Sequence, residues 1–301
     1  MFYGCTSLVK PPVLPATSLT TNCYSSMFFG CTSLAYAPVL LATSLKTSSY
    51  FRMFQGCSSL VNAPELPATT LGNTCYAYMF SGCSSLVNAP ELPATTLMTK
   101  CYMNMFEGCS SLVNAPELPA TVLTEACYRT MFKDCHALLT APVLQSTELA
   151  EQCYYTMFQN CTALVNAPEL PATALVDYCY GYMFAGCTSL ANAPELPATT
   201  LSKSCYNSLF AGCSSLVNAP VLPATEGYAY CYINMFKDCI SLKRVEVAIT
   251  KWIVTFGEEL IDCCEDWMLN VPSGGIFYKP TELVEEIGVS RIPDGWNVIS
   301  Y

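Results

Sequence analysis

Twenty cysteines in 301 residues are the side chains of this chain with the widest chemical range, able to act as nucleophiles, metal ligands or cross-links. Eighteen of them fall into two columns with a period of 26 residues. One runs Cys5, Cys31, Cys57, Cys83 and on to Cys239 without a gap; the other runs Cys23, Cys75, Cys101 and on to Cys231, with Ser49 in place of one member. A zinc site would need CxxC pairs or histidines at ligand spacing, and neither occurs. Bridging each Cys-x7-Cys pair would give a disulfide framework suited to an exported protein, but Ser49 would then leave Cys57 unpaired. The other reading, which the pattern favours, is of buried free thiols. Each Cys lies on an apolar stripe or directly after a capping glycine, where a small hydrophobe fits.

The remaining polar chemistry is equally periodic. The single histidine, His136, replaces the Ser that follows Gly-Cys in neighbouring repeats, and no carboxylate, Ser or Cys recurs beside it to make a base or an activated nucleophile. Two polar columns run through the chain: Asn62, Asn88, Asn114, Asn166, Asn192 and Asn218, and Glu65, Glu91, Glu117, Glu169 and Glu195. Being three residues apart, they cannot share one face of a regular strand. The Asn column is a candidate for ligand contact, or for an inward role bonding the backbone of the next coil. The Glu carboxylates, stacked ~4.8 Å apart, would repel one another. A solvated stripe in high dielectric tolerates that; a weakly bound calcium ion or a cationic ligand is the functional alternative. The only carboxylates that break the period, Glu258, Glu259, Asp262, Glu265 and Asp266, read as the polar face of a helix. No catalytic residue, cofactor or established metal site is expected.

The elements that position these columns follow from the period itself. Met1-Phe2 returns at Met27-Phe28, Met53-Phe54, Met79-Phe80 and onward to Met235-Phe236, with Leu209-Phe210 filling one gap. A fixed period in the twenties without insertion is the mark of a solenoid, whose units bury apolar surface only against their neighbours. Within the unit Leu60 to Ser85, Leu71, Cys75 and Met79 at i, i+4, i+8 and the pair Tyr76 and Phe80 predict a short helix, N-capped by Thr69 or Thr70 and ended at Gly82. Leu60 to Pro67 is the extended arm, and Pro64 within it must shorten or break a parallel ladder. The predicted fold is an α/β repeat solenoid, a leucine-rich-repeat-like right-handed curved stack of about nine 26-residue coils. Its helices lie on the convex side because they need ~8 to 10 Å where strands need ~4.8 Å.

Beyond residue 242 the texture changes, and 15 of the 36 charged residues lie in 243–301. This divides the chain into a repeat solenoid, 1–242, and a capping segment, 243–301. In the cap, Leu242, Val245 and Val247 predict a strand, Glu258 to Met268 an amphipathic helix, and Ile276-Phe277-Tyr278 and Val298-Ile299 two closing strands. Because Met1 occupies the Met-Phe position of a repeat, the sequence reads as starting within a coil, with further residues upstream that include an export signal.

Composition narrows the function classes. A 52% hydrophobic content with 12% charged residues supplies a core and argues against disorder. The net charge of −10 argues against nucleic acid as a partner. No run approaches the ~18 to 20 apolar residues of a transmembrane helix.

The string MFxGCSSL, as it stands at Met79–Leu86 and Met105–Leu112, with the arm and the Tyr-x-x-Met-Phe segment, resembles the BspA-like leucine-rich repeats of bacterial surface proteins. The region of Trp267, Gly275-Ile276-Phe277-Tyr278 and Ile292-Pro293-Asp294-Gly295-Trp296-Asn297-Val298 is similar to the closing segment of such proteins from gut anaerobes. The resemblance implies a leucine-rich-repeat solenoid, export to the cell surface or medium, and adhesion or binding to a host or microbial protein or glycan. It supplies no catalytic residue and no ligand. One departure stands out: the usual LxxLxL strand is LVNAPEL here. The triplets Gly72-Asn73-Thr74, Met98-Thr99-Lys100 and Val176-Asp177-Tyr178 vary from coil to coil, the behaviour of a solvent-exposed face and of a selective one alike. A purely structural spacer within a larger surface protein is the alternative function.

Overall fold

The computed structural model describes residues 1–301 and contains no α-helix. Where a short helix is predicted, each coil instead runs as a ribbon of overlapping turns. In the coil from Gly72 to Cys83, every second N–H closes a turn three residues back: Cys75 N to Gly72 O at 3.4 Å, Ala77 N to Thr74 O at 3.3 Å, Met79 N to Tyr76 O at 3.1 Å and Ser81 N to Tyr78 O at 3.2 Å. The N–H groups between them leave the coil. Thr74, Tyr76, Tyr78, Phe80 and Gly82 donate to Thr99, Cys101, Met103, Met105 and Glu107 of the next coil, at 3.0, 3.0, 2.8, 2.9 and 2.7 Å.

This corrects the helix for a definable reason. One residue in four takes a positive φ, here Thr74 at 55°, Tyr78 at 58° and Gly82 at 73°. The apolar period of such a ribbon is therefore four residues. Over three contacts that is indistinguishable from the 3.6 of a helix. A helix would satisfy its own N–H groups internally and leave the coils to cohere through side chains alone, whereas the ribbon spends half of them on the neighbour. The left-handed non-glycine residues cost about 1 kcal/mol or more each. The position of Gly82 shows the pressure plainly, since only Gly, Asp134, Asn160, Asp238 or Asn270 occupies it along the stack, the residue types that tolerate a left-handed backbone best. Because the turn side is hydrogen-bonded from coil to coil, it has no need of helix spacing, and the argument for a convex helical side falls with the helix.

The arms pair sparsely. Single parallel bridges join Asn62 to Asn88, Asn88 to Asn114, Asn166 to Asn192 and, on the far side of the prolines, Ser44 to Thr70 and Thr96 to Val122. One to three prolines in each of these arms, most often two, remove donors that a continuous ladder would use. A regular sheet begins only with β1 (Asn218–Leu222), whose neighbour β2 (Arg244–Val247) is free of proline; even there the register slips between Asn218 and Val221. The hairpin strands β3 (Ile253–Phe256) and β4 (Glu259–Asp262) follow, then β5 (Ile276–Lys279) and β6 (Asn297–Ser300). The main sheet is parallel throughout, in the order β1-β2-β5-β6.

The coil geometry outlasts the visible repeat. Tyr206 N donates to Cys231 O, and one coil later Tyr232 N donates to Cys263 O and Phe236 N to Trp267 O. The coil at Cys263 is thus in register but six residues longer, and the extra length is taken up by the β3–β4 hairpin. This corrects the predicted helix over Glu258 to Met268. Gly257, at φ 63°, opens a two-residue Gly257-Glu258 loop of the kind that closes hairpins, Phe256 pairs with Glu259, and residues from Cys263 onward rejoin the turn ribbon.

A single core of 86 buried residues runs the length of the stack. Its spine is two aromatic columns. Phe2 to Phe236 stack ring on ring at 5.6–5.9 Å, and Tyr24 to Tyr232 at 5.8–6.1 Å, nearly parallel throughout. Trp267 ends both, 6.5 Å from Tyr232 and 6.1 Å from Phe236.

Candidate functional site

The arm face gathers both polar columns on its outer side. From Pro64 the arm alternates as a strand should, with Leu66 and Ala68 buried and Glu65 and Pro67 exposed. Asn62 is exposed as well, because the alternation breaks between Asn62 and Pro64, the same place where β1 loses register against β2. The three-residue spacing therefore does not send the columns to opposite faces, and the inward role for Asn is corrected. Asn88, Asn114, Asn166, Asn192 and Asn218 are likewise exposed, and where side chains of the column bond, they bond each other: Asn192 Nδ2 donates to Asn166 Oδ1 at 2.8 Å.

Glu65, Glu91, Glu117, Glu169 and Glu195 point outward one per coil. Successive arms leave clefts between their prolines: 380 Å³ between Pro64-Glu65-Leu66-Pro67 and Pro90-Glu91, 540 Å³ one coil further on, and 340 Å³ beside Pro194 and Glu195. Around the Glu column no three His, Cys, Asp or Glu side chains converge as a metal ion would require, so the calcium reading of that column gains no support from the geometry.

The Glu column also has members the polar pattern hides. Val13, Val39, Val143 and Val221 occupy its position in other coils, and all are exposed, Val13 by 87% and Val39 by 71%. Beside Val39, Tyr36 takes the Asn position and is exposed, with Lys10 Nζ 5.5 Å above its ring. Tyr36, Val39, Asn62 and Glu65 line the largest cleft of the arm face, 710 Å³. These residues were visible in the sequence as departures from the two columns.

The turn side carries the variable triplets. Tyr155 meets Tyr182 and Tyr178 edge-on, at 5.8 and 6.3 Å, under the Arg129 guanidinium at 5.2 Å, which also donates to Gln152 at 2.6 Å. Gly181 makes the room: a Cβ there would lie 3.0 Å from the Tyr155 ring. A smaller cluster joins Phe51, Arg52 and Tyr78. His136 is exposed and bonds Asn160 O through Nδ1 at 3.0 Å.

The thiols are free, and all but Cys5 and Cys23 are buried. In the Gly-Cys column each S–H from Cys31 onward donates to the Phe carbonyl of the preceding coil: Cys57 to Phe28, Cys83 to Phe54 and Cys109 to Phe80 at 3.1 Å, and so on to Cys239. Burial pushes these thiols up, Cys57 to about 12, so they are poor nucleophiles. Ser49, in the gap of the second column, is wholly buried and donates to Thr20 O at 3.2 Å. Among the irregular carboxylates, Glu258 and Glu259 are exposed on the hairpin, and Asp262 pairs with Arg291 at 2.7 Å.

The profile of the BspA type leucine rich repeat region matches six times, over residues 1–113, 42–165 and 129–266. A leucine-rich repeat protein from Bacteroides ovatus, solved as a crystal structure, aligns with 99% of this chain and 86% of its own at 17% identity and a TM-score of 0.39. No curated protein matches. No helix is long and apolar enough to cross a membrane.

Proposed function

We propose, for a chain that belongs to the family of BspA-type leucine-rich repeat proteins, a non-catalytic role in ligand binding or adhesion at the bacterial surface or in the surrounding medium. The ligand is a host or microbial protein or glycan, bound through the solenoid surface. The observation that carries this reading is the outward column of the arms. A stack needs Leu66 and its equivalents inside, but gains nothing in stability from an exposed Val13, or from Val39 exposed beside Tyr36 at the first of three successive clefts. Exposed apolar side chains rimmed by carboxylates and amides are how binding surfaces are composed. Periodic clefts suit a repetitive ligand, and the Tyr155-Arg129 cluster on the other side, rich in the residue types that dominate protein interfaces, suits a protein.

The test is a glycan and host-protein array probed with the wild-type chain and with a Tyr36→Ser, Val39→Ser double variant. Binding that the double variant loses supports the arm face. Binding unaffected by it but lost with Tyr155→Ala moves the site to the turn side. Silence on every spot favours the alternative, a structural spacer, which needs the same core and no selective face.

A further inference from the structure

Three thiols, Cys231, Cys263 and Cys264, meet where the last regular coil joins the coil that carries the hairpin. Cys263 Sγ lies 3.6 Å from Cys264 Sγ and donates to Trp252 O at 3.1 Å. Cys231 comes from the neighbouring coil, where Tyr232 N donates to Cys263 O at 2.9 Å. Cys231 Sγ in turn accepts the Tyr228 N–H at 3.3 Å. The three are electronically unequal. The neighbouring Cys231 and Cys264 thiols hold Cys263 below the ordinary thiol range, while burial pushes Cys231 and Cys264 up. No other cysteine in the chain is shifted downward.

Above this group a cleft of 370 Å³ opens between the last arm and β3, lined by Glu226, Gly227, Tyr228, Lys251 and Val254 among others. Gly227 is part of its lining. A Cβ on that residue would sit 2.8 Å from Cys263 Sγ and 3.3 Å from Val254 Cγ1, so the sulfur lies directly behind a bare backbone. Gly227 does not hold a left-handed φ; what it provides is the absence of a side chain. Lys251 at the mouth brings a cation to a chain that is otherwise acidic.

We infer that Cys231 and Cys263 form a redox pair, a site at which a small-molecule disulfide entering this cleft converts the two thiols into an intramolecular disulfide that fastens the hairpin coil to the last regular coil. Cys231 is the natural partner. It stands beside Cys263 on adjacent coils bonded in parallel, Tyr232 N to Cys263 O at 2.9 Å, and neighbouring chains at ~4.8 Å fall within the ~4.4 to 6.8 Å between Cα atoms that a disulfide spans. Cys264 would have to close a ring around a single peptide bond.

The chemistry balances in two steps. The Cys263 thiolate attacks one sulfur of the small disulfide, forming a Cys263 mixed disulfide and expelling one thiolate, which takes up a proton from solvent. Cys231 gives its proton to solvent, and its sulfur attacks Cys263 Sγ, forming the Cys231–Cys263 bond and expelling the second small thiol. Two protein thiols are oxidised and one disulfide is reduced to two thiols. The column cysteines outside this group are held back by their high pKa.

The experiment treats the reduced, folded chain with oxidised glutathione and follows free thiols and disulfide-linked peptides by mass spectrometry. The expected result is a fall from twenty thiols to eighteen with one new linkage, Cys231–Cys263. Cys231→Ser stops at the glutathione adduct on Cys263, Cys263→Ser does not react, and Gly227→Ala slows the wild-type reaction. If circular dichroism shows a variant unfolded, the wild-type peptide map decides alone. No loss of thiols in the folded chain, a first linkage within the columns, or a folded Cys263→Ser that reacts like wild type overturns the proposal.

Discussion

Removing one ring from the middle of the phenylalanine column tests whether the molecule is a stack held by nearest neighbours. Phe132 is fully buried and lies 5.6 Å from both Phe106 and Phe158, with interplanar angles of 4° and 5°. Phe132→Ala removes the buried ring, worth about 3–5 kcal/mol in a core that collapses only partly. The two stacked pairs, each about 0.5–1.5 kcal/mol beyond area, place the loss toward the upper end, about 5 kcal/mol. The backbone remains tied, because Phe132 N still donates to Met157 O and Phe132 O still accepts the Cys161 thiol. In a one-dimensional stack that loss is local to one junction. All three tryptophans, Trp252, Trp267 and Trp296, lie at the C-terminal end, so tryptophan fluorescence reports that end while far-ultraviolet circular dichroism reports every coil. In urea, the wild type is expected to show coincident transitions. In Phe132→Ala the dichroism transition splits, and its early phase has no counterpart in fluorescence. Coincident transitions with the full loss would show a single cooperative unit and refute nearest-neighbour coupling; a loss under about 1 kcal/mol would refute the assigned role of the stacked rings.

Further outcomes follow from individual residues. Tyr102 is buried with a hydroxyl that has no hydrogen-bond partner, so Tyr102→Phe is expected to leave stability unchanged or raise it by about 1 kcal/mol in a denaturant titration; a loss of that size would reveal a partner for the hydroxyl. Gly186 combines a φ of 76° with the Asn160 side chain packed against its Cα, and Gly186→Ala is expected to cost about 2 kcal/mol or more, read as a lowered urea midpoint. Burial pushes Cys57, Cys187 and Cys239 from 9 to about 12. The unfolded chain therefore gives up these protons first as pH rises. The stability due to the buried thiols is complete below pH 9 and is lost between about 9 and 12, at about 1.4 kcal/mol per pH unit for each thiol. A pH titration of the urea midpoint that stays flat across that window would contradict the buried, protonated columns.

Much of this molecule could be read from residue spacing. The Met-Phe and Cys columns set the period, Leu60 and Leu66 mark the inside of the arm, and Pro64 forecast a broken ladder, as the single bridges at Asn62 and Asn88 show. Val245, Phe277 and Val298 lie on the strands that their alternation suggested. The candidate ligand columns were legible as residues but not as a surface. Asn62 and Glu65 share the outer face only because the arm slips register between them, and no pattern of residue types announces a slip. Tyr36 and Val39 interrupt the two columns, and only the cleft they line with Asn62 and Glu65 gives them a place.

The sequence by itself determined that identical units stack and which side chains each unit buries, because burial depends on residue type and period, and both are written in the chain. Only the tertiary structure decided how the backbone between arms is bonded. Leu71, Cys75 and Met79 are spaced equally well for a helix and for a ribbon of turns; the choice rests on where the N–H of Tyr76 points, and Cys101 of the next coil accepts it. The same holds at the cap. Six inserted residues hid the coil at Cys263 from any fixed period, and hydrogen bonds from Tyr232 and Phe236 restored it, bringing together three sulfurs that no spacing rule would have grouped.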